Sequence, residues 1–157
     1  MKIRPVTPET YPKVVALLKQ SFVRSHYEVA LVEKLHKGKK EIDEWVCIHI
    51  NKVIGYIAFT KAYKEHDVCG LHLAPIAVKP EYQNQGVGSE LIRFALRQEK
   101  INNSTIFVLG NPEYYRKFGF TPCLTPLSPF GNKKRRLLSI RNEFTESFRV
   151  GYEKEFG

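Results

Sequence analysis

Cysteine is scarce in this 157-residue chain, and the three present, Cys47, Cys69 and Cys123, are odd in number and far apart. That pattern argues against a disulfide framework and against a CxxC metal pair. Cys69 and His72 could share a metal, but no second pair accompanies them, so no metal is expected. Long apolar runs are missing too: no window approaches the roughly 18 residues of a membrane span. The N-terminal MKIRPVTPET has no apolar core of the kind a signal peptide needs, so the expectation is a cytoplasmic protein with no membrane partner. Repeats and linker-like stretches are also absent, which assigns residues 1–157 to one domain.

What is present is globular in character. Hydrophobic residues make up 43% and charged residues 26%, near the averages of folded domains. The formal net charge of +9 implies an anionic partner or simply a basic surface. The run NKKRRLL, Asn132 to Leu138, which includes the basic segment 133–136, and the group KGKK, Lys37 to Lys40, can face nucleic acid or a phosphate, with solvated surface as the plain alternative. No helix-turn-helix, zinc-finger or aromatic-basic pattern accompanies either, so no nucleic acid is expected as a partner.

Ile3 to Val6 reads as a first strand, and Thr7 with Pro8 supplies an N-cap and a first-turn proline. Tyr11, Val14, Val15, Leu18 and Phe22 recur at helical spacing, and Tyr27, Leu31 and Leu35 repeat the pattern in a second helix that Gly38 stops. Trp45 to Ile50 and Val53 to Phe59 are β-branched and aromatic runs on either side of Asn51-Lys52, the signature of a hairpin, with Gly55 marking a bulge. After the polar turn Lys64 to Asp67, Leu71 to Val78 is a further strand, and a helix follows to the region of Glu99. Thr105 to Leu109 is a fifth strand; Asn111-Pro112 then caps a short helix, Glu113 to Phe118, ended by Gly119. A proline-rich loop spans Thr121 to Asn132, and Leu137 to Arg141 and Phe148 to Tyr152 are expected to form a terminal strand pair. Strands and helices mixed in this way imply one α/β unit.

Between the fourth strand and its helix lies PEYQNQGVGSELI, Pro80 to Ile92, with Gly86 and Gly88 and no acid from Tyr82 to Ser89. Val87, Leu91, Ile92, Phe94, Ala95 and Leu96 share one arc of the helix, and Ser89, Glu90, Arg93 and Arg97 the other, so the helix packs on a sheet. Its first turn leaves backbone N–H groups unpaired at the positive end of the helix dipole, which suits a phosphate. Gly86 and Gly88 remove Cβ atoms where such a ligand touches the backbone, although any tight strand-to-helix turn uses glycine for its own geometry. The GxxxxGK[ST] of a P-loop is missing, and Leu91 stands where a dinucleotide fingerprint needs its third glycine, so neither nucleotide motif applies.

What remains, Q-x-x-G-x-G from Gln83 to Gly88, resembles the pyrophosphate-binding loop of the GNAT N-acetyltransferase superfamily. PIAVKPEYQNQGVGSELI is similar to that superfamily's fourth strand, loop and third helix. GNPEYYRKFGF, Gly110 to Phe120, is similar to the fifth-strand end and fourth helix of a bacterial branch of predicted small N-acetyltransferases. The resemblance spans almost the whole chain. It implies an α/β (α+β) GNAT fold, a mixed central sheet of about seven strands with about four helices, splayed between strands 4 and 5. It also implies acetyl-CoA as acetyl donor, with direct transfer to a primary amine. A small metabolite or amino-acid-like amine is the favoured acceptor; the rival reading is a non-catalytic acyl-CoA-binding or regulatory module. A homodimer is compatible with either.

By the same resemblance, Gln83, Asn84, Gln85, Gly86, Val87, Gly88 and Ser89 receive the pyrophosphate, while Ile76, Ala77 and Val78 lie along the pantetheine as a strand lies along its neighbour. Asn111 matches a pantetheine contact and is equally an ordinary helix N-cap. Pro75 cannot donate to a ladder, so a bulge or splay is expected there. Acyl transfer to an amine needs a deprotonated nucleophile, a stabilised oxyanion and a proton for the departing thiolate. The resemblance gives the last role to Tyr115, with a core tyrosine as the alternative, while Tyr114 reads as packing. Glu28, Glu65, His66, Asp67 and His72 are all open as a general base.

Overall fold

The first four strands, β1 (Lys2–Pro5), β2 (Asp43–His49), β3 (Lys52–Lys64) and β4 (Asp67–Val78), pair antiparallel in chain order. The chain reverses between β2 and β3 at Ile50 and Asn51, and between β3 and β4 at Glu65, all three in left-handed backbone. Along β3, Ile57 and Phe59 turn to one face of the sheet while Tyr56 and Ala58 turn to the other, and all are buried. A strand covered on both faces explains why GYIAF is continuously apolar rather than alternating. In the computed structural model the described residues are 1–123 and 136–157, with the backbone of 126–127. Residues 124–125 and 128–135, which hold much of the expected proline-rich loop and the start of the basic run, lie outside them.

Helices α1 (Tyr11–Ser21) and α2 (Tyr27–Lys37) cover the face of Tyr56 and Ala58 through Val14, Leu17, Leu18, Val29 and Val32, which also meet Val46. Regular α1 starts at Tyr11, later than a cap at Thr7 implies, because Thr7 and Thr10 bond one another first. The Thr7 amide donates to Thr10 Oγ1 at 2.8 Å, and the Thr7 carbonyl accepts from the Tyr11 amide at 2.9 Å. The opposite face is covered by α3 (Val87–Leu96), whose Val87, Leu91, Ile92 and Ala95 meet Trp45, Ile57 and Phe59. Gly55 lets α3 settle on the sheet, since a Cβ there would stand 2.8 Å from Leu91 Cδ1. The β2–β3 register slips beside it, with Cys47 opposite Gly55 and Ile48 opposite Val53, so the expected bulge is present.

The second half adds β5 (Ile106–Gly110), α4 (Pro112–Tyr115) continued by a 3₁₀ turn over Arg116–Phe118, β6 (Thr121–Pro122), β7 (Pro126–Leu127), β8 (Arg136–Ile140) and β9 (Phe148–Gly151). The sheet runs in the order β1-β2-β3-β4-β5-β8-β6, with β7 and β9 off this path. The expected pairing of the last two strands does not form. β8 takes the free edge of β5 and also pairs β6, while β9 pairs β3 at Tyr63 and Lys64 and lies parallel to β7. Each strand finds an apolar partner of its own: Leu138 packs with Val108 and Phe120, and Val150 with Ala62 and Phe107. Alternation within a segment marks a strand but carries no information about its distant neighbour.

β5 runs parallel to β4, yet the two pair only at Leu71 with Ile106 and His72 with Phe107. Beyond that point they part. The parting begins at a bulge, because Phe59 faces Leu73 and Ile57 faces Ile76, leaving Ala74 and Pro75 both against Ala58. Just before it, the Leu71 amide donates to the Thr105 carbonyl at 2.9 Å, and Gly70 presses so close that an added Cβ would collide with that same carbonyl. That carbonyl cannot swing aside without losing its bond from the Leu71 amide. Gly70→Ala is therefore expected to destabilise the fold by roughly 1–3 kcal/mol through overpacking. Urea unfolding reads this directly, and a midpoint equal to wild type would show that the strands tolerate the added methyl.

Candidate functional site

Two cavities open along the end of β4 where it has parted from β5, and Ile76 lines both. The first is a groove of about 610 Å³ along Ile76, Ala77 and Val78 at the end of β4. Its far end is closed by Gln83, Asn84 and Gly86 of the loop and by Val87, Gly88 and Ser89 of the first turn of α3. Gln85 and Asn111 do not line it. Gln85 Nε2 donates instead to the Glu81 carbonyl at 2.9 Å, and Asn111 Oδ1 accepts from the Glu113 amide at 2.9 Å, which makes it the N-cap of α4.

The loop is curled by two left-handed residues, Asn84 with φ +61° and Gly86 with φ +86°. Gln83 Nε2 ties it to the strand by donating to the Val78 carbonyl at 3.0 Å, where Ser21 Oγ also donates at 3.1 Å. The first bond inside α3, from the Glu90 amide to the Gly86 carbonyl at 3.0 Å, leaves the amides of Val87, Gly88 and Ser89 at the exposed positive end of the helix. A Cβ on Gly86 would meet nothing within 4 Å, so that glycine serves the backbone turn and faces open space. Gly88 differs, since a Cβ there would stand 3.1 Å from the Tyr114 hydroxyl.

Tyr114, expected to be packing, lines this groove, and Lys117 lies over its ring with Nζ 4.5 Å from the centroid. No carboxylate is among the described residues that line the groove. Free amides, a left-handed glycine and one lysine form a cradle of the sign and shape for a diphosphate. Tyr114 and Lys117 were legible as an i, i+3 pair on one face of the segment EYYRKF, a spacing that brings side chains together.

The second cavity, of about 510 Å³, lies beyond Ile76 and reaches the facing surfaces of α2 and the C-terminal segment. Tyr115 lines it from α4. Its ring is held edge-on to Tyr114 at 5.0 Å and Phe120 at 5.6 Å between centroids, and it covers Gly110 so closely that a Cβ there would overlap it. Of the residues open as a general base, Glu28 and His72 line this cavity. Glu65, His66 and Asp67 sit exposed at the β3–β4 turn and do not. Elsewhere Lys40 pairs at 3.9 Å with Glu153 and with Glu155, so part of KGKK is engaged in the fold. Among the described residues no group of three or more His, Cys, Asp or Glu could hold a metal ion, and no helix is long and apolar enough to cross a membrane.

His72 is 1% exposed, stacks on Tyr152 with ring centroids 3.6 Å apart, and Nε2 donates to the Gly151 carbonyl at 3.1 Å. Burial pushes its imidazolium down to about 4, against a smaller opposing influence of the Gly151 carbonyl.

Residues 41–122 match the family described as an acetyltransferase (GNAT) domain. Over 76 residues the chain is 47% identical to the uncharacterized N-acetyltransferase YjhQ of Escherichia coli K12, a match that spans 46% of this chain and only 42% of that relative. Over 123 residues it is 32% identical to the uncharacterized N-acetyltransferase YhbS of the same organism, covering 76% of this chain and 73% of that one. Among solved structures, the GNAT family N-acetyltransferase YhbS from Escherichia coli in complex with CoA superposes with a TM-score of 0.88 at 25% identity, covering 99% of this chain and 91% of that one. A GNAT family acetyltransferase from Brucella melitensis in complex with acetyl-CoA gives 0.83 at 24%, covering 99% and 97%.

The titration of His72 has a direct consequence for stability. As pH falls below 6.5 the unfolded chain takes up this proton, whereas the folded chain refuses it until about 4. The contribution of His72 to stability is thus complete above pH 6.5, declines between 6.5 and about 4 by on the order of 3 kcal/mol, and changes no further below that. Urea unfolding across that window should give a steeper acid decline for wild type than for His72→Gln, whose amide keeps a donor for Gly151. Parallel declines would show that His72 is not the group responsible.

Proposed function

Because the chain belongs to the GNAT acetyltransferase family, we propose that residues 1–157 form one acetyl-CoA-dependent N-acetyltransferase domain acting on a small primary amine. The observation that carries this reading is the shared wall at Ile76: the groove with the diphosphate cradle and the cavity with Tyr115 meet at one residue of β4. An extended ligand anchored at Gly86 to Ser89 and following Ile76, Ala77 and Val78 would therefore end where Tyr115 stands.

Acetyl-CoA supplies an acetyl group already activated as a thioester. The amides of Val87, Gly88 and Ser89 hold the diphosphate, with Lys117 adding positive charge beside them. The exposed edge of Ile76, Ala77 and Val78 aligns the pantetheine arm, as a sheet edge aligns an added strand. Gln83 and Asn84 shape the loop, with Gln85 bracing it from outside; Asn111 orients α4 through its cap. The amine attacks in its neutral form, the new C–N bond replaces the C–S bond, and net one proton passes from nitrogen to sulfur. Tyr115 is the donor to sulfur, its ring position secured by Gly110, Tyr114 and Phe120.

Two variants separate the parts. Gly86→Glu introduces a side chain and a negative charge into the open space of the cradle, so calorimetry with acetyl-CoA should show affinity reduced by about tenfold or more. Wild-type affinity in the folded variant would remove the loop from the site. Tyr115→Phe keeps the packed ring and loses the proton donor. Acetyl-CoA affinity should stay unchanged while kcat for coenzyme A release falls on the order of a hundredfold. Near-normal kcat would return Tyr115 to the core. Acetyl-CoA binding without turnover of any amine in a broad panel would favour the non-catalytic acyl-CoA-binding module.

A further inference from the structure

The cavity beyond Ile76 has a chemistry of its own. Phe22, Leu31, Pro75 and Val108 contribute apolar wall, and Tyr152 and Phe156 contribute aromatic rings. Into this wall α2 brings one acid, Glu28. Its Oε1 is enclosed and accepts a hydrogen bond from no described residue. A carboxylate oxygen in such surroundings is costly unless a donor reaches it. The adjacent phenol of Tyr27 is committed elsewhere, donating to the Phe156 carbonyl at 2.7 Å.

No Lys or Arg is among the described residues that line the cavity. His72, the remaining basic group there, is neutral at physiological pH because it is buried. An incoming carboxylate would thus find no countercharge and would share the space with Glu28, whereas an ammonium group would meet the unsatisfied oxygen and aromatic faces that attract cations. We infer that this cavity selects a primary amine with an apolar or aromatic body and no carboxylate, its ammonium group held by Glu28. The inference rests on the acyl-transfer reading of the site and narrows its acceptor from small or amino-acid-like amines in general to arylalkyl or alkyl amines.

Three probes built on one phenylethyl body separate the contributions: 2-phenylethylamine, phenylalanine, which adds a carboxylate to the same amine, and 3-phenylpropionate, which has the carboxylate alone. Each is titrated calorimetrically onto the intact protein, in parallel with acetyl-CoA. The expected result is that 2-phenylethylamine binds at least about tenfold more tightly than either acid, and that Glu28→Gln weakens it about tenfold while acetyl-CoA affinity is unchanged. The inference is overturned if phenylalanine or 3-phenylpropionate binds as well as the amine, if the wild type binds no amine, or if Glu28→Gln retains full amine affinity. The comparison among probes on wild type needs no variant to fold. Failure of wild type to bind acetyl-CoA would count against the transferase reading alone, because amine preference is measured without turnover.

Discussion

The proposed site depends on the brevity of one parallel ladder. β4 and β5 must touch for the sheet to be continuous, and they must part for a ligand to enter. Leu71–Ile106 and His72–Phe107 meet the first need, with Gly70 drawn tight against Thr105. The bulge at Ala74 and Pro75 meets the second, since a proline in that place has no amide to offer a neighbouring strand. With the junction fixed at its base, α3 and α4 spread to either side of the opening and carry the loop amides and Tyr115 with them.

The glycines show how local sequence is divided between backbone and space. Gly86 is required by its left-handed turn and has open room around it, whereas Gly55, Gly70 and Gly110 are required by what lies against them: a helix, a strand and a tyrosine ring. Gly86 belongs to the proposed ligand cradle, as does Gly88, which is crowded only by the Tyr114 hydroxyl. The others set the distances between layers on which the cradle rests.

Features that arise within a few residues are readable from the chain. Helical spacing in α1, α2 and α3, the β2–β3 hairpin, read at Asn51-Lys52 and found turning one residue earlier at Ile50-Asn51, the bulge beside Gly55 and the turn into α3 all follow from short-range pattern, and so does the family resemblance carried by the loop. What is not readable is partnership at a distance. The strands at 136–140 and 148–151 show the alternation of strands, but their neighbours are chosen by Val108, Phe120, Ala62 and Phe107, far away in the chain. Glu28 illustrates the same limit within the site. It is one acid among several in the sequence, and its distinction comes from apolar walls supplied by β4, β5 and the C-terminal segment.

The rims of the sheet complete the picture. β1 is four residues long and ends at Pro5, and β6 is two residues long and ends at Pro122, so both outer margins are short and lack an amide at the proline. Such margins offer little to a strand from another molecule. The long unpaired margin is internal, flanked by α3 on one side and α4 on the other. Open backbone is thereby kept away from the rim of the sheet and placed beside the two cavities that meet at Ile76.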